Sequence, residues 1–165
     1  MKNKNINMLI IALLLLGSIA FSLIAFLTKV KEDFQENITV SESGVTEKAV
    51  KVRNLSLNPT DSREYSINLV CEASGKYLVS IEYDEKDDGG MKEFVNVTIK
   101  ANDDMVYEGT LIDLIDNAPT VEFEGELYAK DPVVITINYA MPYEVGNEAE
   151  GTSADFDVIV KIAKI

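Results

Sequence analysis

The 165-residue chain contains no histidine, no tryptophan and one cysteine. Without histidine there is no imidazole for a serine, cysteine or metallo-hydrolase mechanism. The HExxH zinc helix is excluded too, as are structural zinc sites built from cysteine and histidine. Without tryptophan, aromatic platforms for sugar are scarce, which weighs against a glycosidase with paired carboxylates. Cys71 alone cannot form an intramolecular disulfide. It ends the alternating stretch YSINLVC and is expected to be a buried, inert thiol. A secreted chain without disulfides fits export from a cell lacking an oxidising compartment, such as a Gram-positive bacterium.

Charge is absent from residues 8–27 (MLIIALLLLGSIAFSLIAFL), and so is proline. Twenty such residues span a bilayer core as a helix, at ~1.5 Å per residue across ~30 Å. Two readings stay open. As a signal peptide, the segment follows the basic residues 1–7 and offers Ser18 with Ala20, or Ala20 with Ser22, at cleavage-site spacing. As an anchor, all twenty residues stay in the membrane, and lysines at both ends leave the positive-inside bias weak. Either way the remainder is expected outside the cytoplasm, secreted or held at the cell surface.

That remainder is acidic. Four of the fifteen basic residues and none of the 28 acids fall within residues 1–31, so residues 32–165 carry a net charge of −17. Nucleic acid and anionic lipid head groups are repelled; metal cations or cationic partners are attracted. The plainer role of such charge is solubility.

Residues 28–44 are polar with little periodicity and are expected to form a linker. Residues 45–165 are expected to form one β-sandwich domain. Apolar residues alternate at Val50 and Val52, Tyr65–Cys71, Tyr77–Tyr83, Val95–Ile99, Val133–Tyr139 and Phe156–Ile162. Turns are expected at Asn58-Pro59, Ser74-Gly75, Asp88-Gly89-Gly90 and Asn102-Asp103. Leu111, Leu114 and Ile115 break the period and predict a short helix over Thr110–Asp116. The sum is an all-β, jelly-roll-like two-sheet sandwich of seven or eight strands with one short helix.

Carboxylates are the remaining candidate ligands. Asp84, Glu85, Asp87 and Asp88 are expected to share one loop, with Asp103 and Asp104 in another. Ca²⁺ takes several oxygen ligands at ~2.3–2.6 Å, so the first cluster is a weak calcium site in outline. Its spacing does not match an EF-hand and Lys86 interrupts it, so a solvated acidic turn is the simpler reading. No other cofactor is expected. Gly89-Gly90 is a turn and not a phosphate cradle. The sequons at Asn37, Asn54 and Asn96 carry little meaning in a bacterial chain.

Three stretches resemble the TasA/camelysin family of exported bacterial proteins. In MPYEVGNEAEGTSADFDV the hydrophobic-proline step is Met141-Pro142, the turn pair is Gly146-Asn147, and Glu150-Gly151 stands where Gln-Gly is usual. In GGMKEFVNVTIKANDDMVYEGTLIDLI the matching positions are Tyr107, Gly109, Thr110 and Leu111. In NLSLNPTDSREYSINL they are Tyr65 and Ile67. These residues also have a plain role as fold punctuation: Pro142 ends a strand, and Gly146 and Asn147 suit a turn with positive φ.

The resemblance implies a jelly roll and a role in the extracellular matrix, as a biofilm fibre subunit or as an accessory that attaches fibres to the cell. It implies self-association or a second matrix protein as partner, and a dedicated signal peptidase. It implies fibres built by donor-strand addition, an N-terminal strand of one subunit completing the sheet of the next. If cleavage falls near Ala20 or Ser22, residues 21–30 are the expected donor; uncleaved, they stay in the bilayer. Camelysin-like members are classed as metallopeptidases, which here would have carboxylate ligands only. A calcium-responsive adhesion module is the third reading.

Overall fold

The computed structural model describes residues 34–165 apart from 43, 118 and 130. The expectations for residues 1–33, signal peptide, anchor and donor alike, lie outside the described residues. No helix among the described residues is long and apolar enough to cross a membrane.

Nine strands and one short α-helix are described. They are β1 (Phe34–Val40), β2 (Val45–Leu55), β3 (Ser62–Cys71), β4 (Gly75–Gly89), β5 (Asn96–Ala101), β6 (Asp104–Thr110), α1 (Leu111–Asp116), β7 (Val121–Leu127), β8 (Val133–Ala140) and β9 (Ser153–Lys164). Two 3₁₀ segments, Met91–Phe94 and Tyr143–Ala149, join strands. The strands form two sheets. The first has the order β1-β3-β8-β5-β6, the second β2-β9-β4-β7. All pairings are antiparallel except β1 with β3, which is parallel.

The inward residues of both sheets form one core. Ile67, Leu69, Ile99, Ile135 and Ile137 come from the first sheet; Val79, Ile81, Phe156, Val160 and Ile162 from the second. Each stands at every second position of its strand, so the pleat alone sends it inward. A run of aromatic rings crosses between the layers. Phe34 tilts against Tyr65, Tyr65 meets the edge of Tyr139, and Phe156 contacts both Tyr139 and Tyr83, with centroids 5.5–5.6 Å apart. Cys71 is buried and unpaired, and burial pushes its thiol pKa up.

Two expectations need correction. The linker at 28–44 contains β1: Ile38 and Val40 lie in the core, and Phe34↔Tyr65 to Val40↔Cys71 set its register on β3. Its single inward run of two apolar residues is too short to stand out from the polar sequence around it. The acidic residues Asp84–Asp88 are not in a loop. They extend β4 to Gly89, paired with β9 through Asp84↔Asp157, Asp87↔Asp155 and Gly89↔Ser153. Backbone pairing to a long partner strand carries β4 through a segment whose side chains suit a turn.

The helix matches its expected place. Thr110 is its N-cap, accepting a 3.3 Å hydrogen bond from the Asp113 amide and donating to Asp113 Oδ2 at 2.6 Å. Leu111 and Leu114 turn into the core.

Candidate functional site

Alternation along β4, shifted by one residue at a bulge between Glu85 and Asp87, splits the acidic residues between two faces and brings Asp88 to the side of Glu85. Asp84 faces solvent on the outer side and is paired with Lys86, which also lies 3.8 Å from Asp157. Glu85 points the other way, toward Lys92 on the 3₁₀ segment after the strand. Lys92 is 8% exposed and its ammonium gathers three carboxylates: Glu85 at 2.9 Å, Asp116 at 2.9 Å and Asp88 at 3.3 Å. The hydrogen bonds from Lys92 to Asp116 and Glu85 push the lysine pKa up. The Gly90 amide, 3.0 Å from Asp88 Oδ1, and then Lys92 hold the Asp88 carboxyl below its usual range.

The consequence is chemical. The three acids that meet here, Glu85, Asp88 and Asp116, surround a cation that the chain itself supplies. Asp87 is exposed and Asp84 is on the opposite face. Among the described residues, no group of three His, Cys, Asp or Glu side chains is arranged to hold a metal ion. This donor set does not fit the metal that a camelysin-like peptidase would need. The sequence carries no signal of this role for Lys92, because Asp116 lies 24 residues away.

The motif residues separate into three places. Gly146, Asn147 and Gly151 line a cleft of about 270 Å³ together with Asn58 and Pro59, so two turns distant in sequence meet. Gly146 has φ 62° and ψ −141°, a conformation essentially confined to glycine. Met141 is buried and ties the end of β8 to that same turn, its amide donating to Asp61 O and its carbonyl accepting from the Thr60 amide, both at 3.0 Å. Pro142 then leads into the 3₁₀ segment. Tyr107 and Gly109 sit together on β6, where a Cβ on Gly109 would collide with the Tyr107 hydroxyl. Burial, then Asp113, pushes the Tyr107 pKa up. Tyr65 is in the aromatic run of the core. These are fold-shaping roles.

The remaining features lie on the open sides of the sandwich. β1 adjoins β2 on one side, and β6 adjoins β7 on the other. Within the sheets each of these four strands has a neighbour on one side only. A groove of about 420 Å³ runs between β6 and β7, with Met105, Val106, Phe123, Leu127 and Val133 among its lining residues. On the outer face of β7, Glu122, Glu124 and Glu126 are exposed in a row. The repeat VEFEGEL carries that signal in the sequence, an acid at every second position of a strand.

No family model and no curated protein matches the chain. Several solved structures are similar in fold at low identity. The pre-peptidase C-terminal domain of a collagenase from Bacillus anthracis matches with TM-score 0.38 and 10% identity, over 78% of this chain and 95% of that one. The periplasmic lysozyme inhibitor PliG of Aeromonas hydrophila matches with TM-score 0.34 and 12% identity, over 78% and 98%. The sugar-binding C-terminal domain of EclA matches with TM-score 0.36 and 15% identity, over 71% and 78%. The chain is a two-sheet β-sandwich with one short helix.

Proposed function

We propose that this protein is an exported structural protein of the cell surface, a subunit or anchoring accessory of extracellular fibres, working by contact between jelly-roll-like sandwiches. The observation that carries the reading is β1. It is the first described element, it lies at a sheet edge, and its only strand partner among the described residues is β3. Its grip is modest, since Ile38 and Val40 are its only core residues. Burying two such side chains contributes about 1.5–3 kcal/mol each. A terminal strand of this kind can leave its own sandwich and take the same parallel place in a neighbour, with every contact conserved.

Residues 21–30 lie three residues before β1 and remain the proposed donor segment, extending the exchange beyond β1 itself. The TasA/camelysin likeness of the Met141–Gly151 turn and of the Tyr107–Leu111 step supports the same reading. Deleting residues 21–30 from the mature chain should abolish fibres in electron micrographs; unchanged fibres overturn the donor role. Mass spectrometry of the mature chain from cells then separates the two forms. Loss of residues 1–20 makes it a subunit, and retention of residues 8–27 makes it a membrane-held accessory.

A further inference from the structure

The second sheet ends in two strands of opposite charge. On the outer face of β7 stand Glu122, Glu124 and Glu126. On the outer face of β2, at the other end of the sheet, stand Lys51 and Arg53, followed along the same face by Ala49, Glu47 and Val45, so its basic charge is concentrated at Lys51 and Arg53. Arg53 is engaged with Asp157 at 2.6 Å, but Lys51 has no ion pair among the described residues. Like edges therefore repel, β7 against β7 and β2 against β2, while β7 of one copy attracts β2 of another.

Strand direction agrees with charge. The second sheet has four antiparallel strands, so β2 and β7 run in opposite senses. Copies stacked by simple translation then bring β7 antiparallel to the next β2. The first sheet has five strands, and five antiparallel strands would leave edges running the same way. The parallel step from β1 to β3 reverses that, so β6 also meets the next β1 antiparallel. Both sheets can continue across one junction. Apolar surface waits on each side of it: Met105 and Tyr128 are 53% and 55% exposed beside β6 and β7, and Phe34 and Val45 are 38% and 64% exposed in β1 and β2.

We infer that a second copy of this chain docks its β2 edge antiparallel along β7, with Lys51 opposite Glu124 and Arg53 opposite Glu122. The contact is heterologous, and repeated it generates an open filament and not a closed dimer. It rests on the reading that copies of this chain assemble, but it needs no exchange of the N-terminal segment.

Full-length Lys51→Cys and Glu124→Cys chains are mixed, and disulfide formation is driven with copper-phenanthroline. Opposed residues in an antiparallel pair lie within disulfide reach, so a 51–124 cross-link is expected between chains; 51–51 and 124–124 products only would overturn the contact. Glu124→Lys alone and Lys51→Glu alone should each lose about tenfold in sedimenting assembly, because each sets like charges opposite one another. Mixing these two restores opposite charge at every junction and should restore assembly. No restoration overturns the contact, and fibres that form from the mixed Lys51→Cys and Glu124→Cys chains without a 51–124 cross-link overturn it while the fibre reading stands.

Discussion

The hydroxyls of Tyr83 and Tyr139 lie 3.1 Å apart in the interior, one from each sheet. Both rings are buried, and burial pushes both phenol pKa values up. Each hydroxyl is the other's partner, so the pair satisfies two polar atoms that the core would otherwise leave without water. Tyr83→Phe removes one and strands the other, and should cost about 1–3 kcal/mol in denaturant unfolding. The double variant with Tyr139→Phe leaves no orphan and should cost less than the two single changes added together.

Lys92 offers a test of the acidic end of β4. Lys92→Met leaves Glu85, Asp88 and Asp116 gathered without their cation and should destabilise the fold by about 1–2 kcal/mol, less than a fully buried pair because the carboxylates reach water. The pH dependence follows from the shifts. Asp88 is held low, so its contribution is present above the unfolded carboxylate value of ~4 and is lost as pH falls through the lower folded value. Lys92 is held high, so its contribution is whole below ~10.4 and is lost only as pH rises through the higher folded value. Urea unfolding across pH should show both losses in the native chain and neither lysine-linked loss in Lys92→Met.

Two glycines should fail for different reasons. A Cβ on Gly89 would run into the backbone carbonyl of Ser153 on the paired strand β9, which cannot swing aside. Gly89→Ala should cost about 1–3 kcal/mol and loosen amide protection at the end of the β4–β9 pair. Around Gly146 a Cβ meets nothing within 4 Å, so Gly146→Ala carries only the backbone penalty of its positive φ, of order 1–3 kcal/mol. Hydrogen exchange separates them: the first change should spread into β9, the second should stay in the turn.

Cys71 is 3% exposed. A thiol reagent should label it in the native protein only at the rate of opening, and at once in denaturant. Rapid native labelling would mean that β3 and β1 part readily, since Cys71 pairs with Val40.

The strands that could be read directly, β3, β4, β5, β8 and β9, are those whose alternate residues are wholly buried, because a strand covered by the facing sheet must write its period into the sequence. The edges were harder. β6 has no fully buried residue and β1 has two, so DMVYEGT shows no alternation by which to recognise a strand and FQENITV falls within the expected linker. β7 shows the period in VEFEGEL, yet its acids resemble surface charge until its place at the end of a sheet is known. The acids of β4 were legible as a cluster, but whether they faced one another depended on the strand pairing that divides them between two faces.

What the sequence determined by itself is the chemistry that is missing and the period that is present: no imidazole, no disulfide, an apolar segment at residues 8–27, and alternating residues that must fold as layered strands. Those depend on residue type and on spacing within one element, which the chain carries locally. The tertiary structure alone decided that Lys92 closes over three acids, that Tyr83 meets Tyr139, that β1 runs parallel to β3, and that the second sheet ends in acid on one side and base on the other. Each of these depends on pairing or packing between separate elements, which exists only once hydrophobic burial has assembled the strands into their sheets.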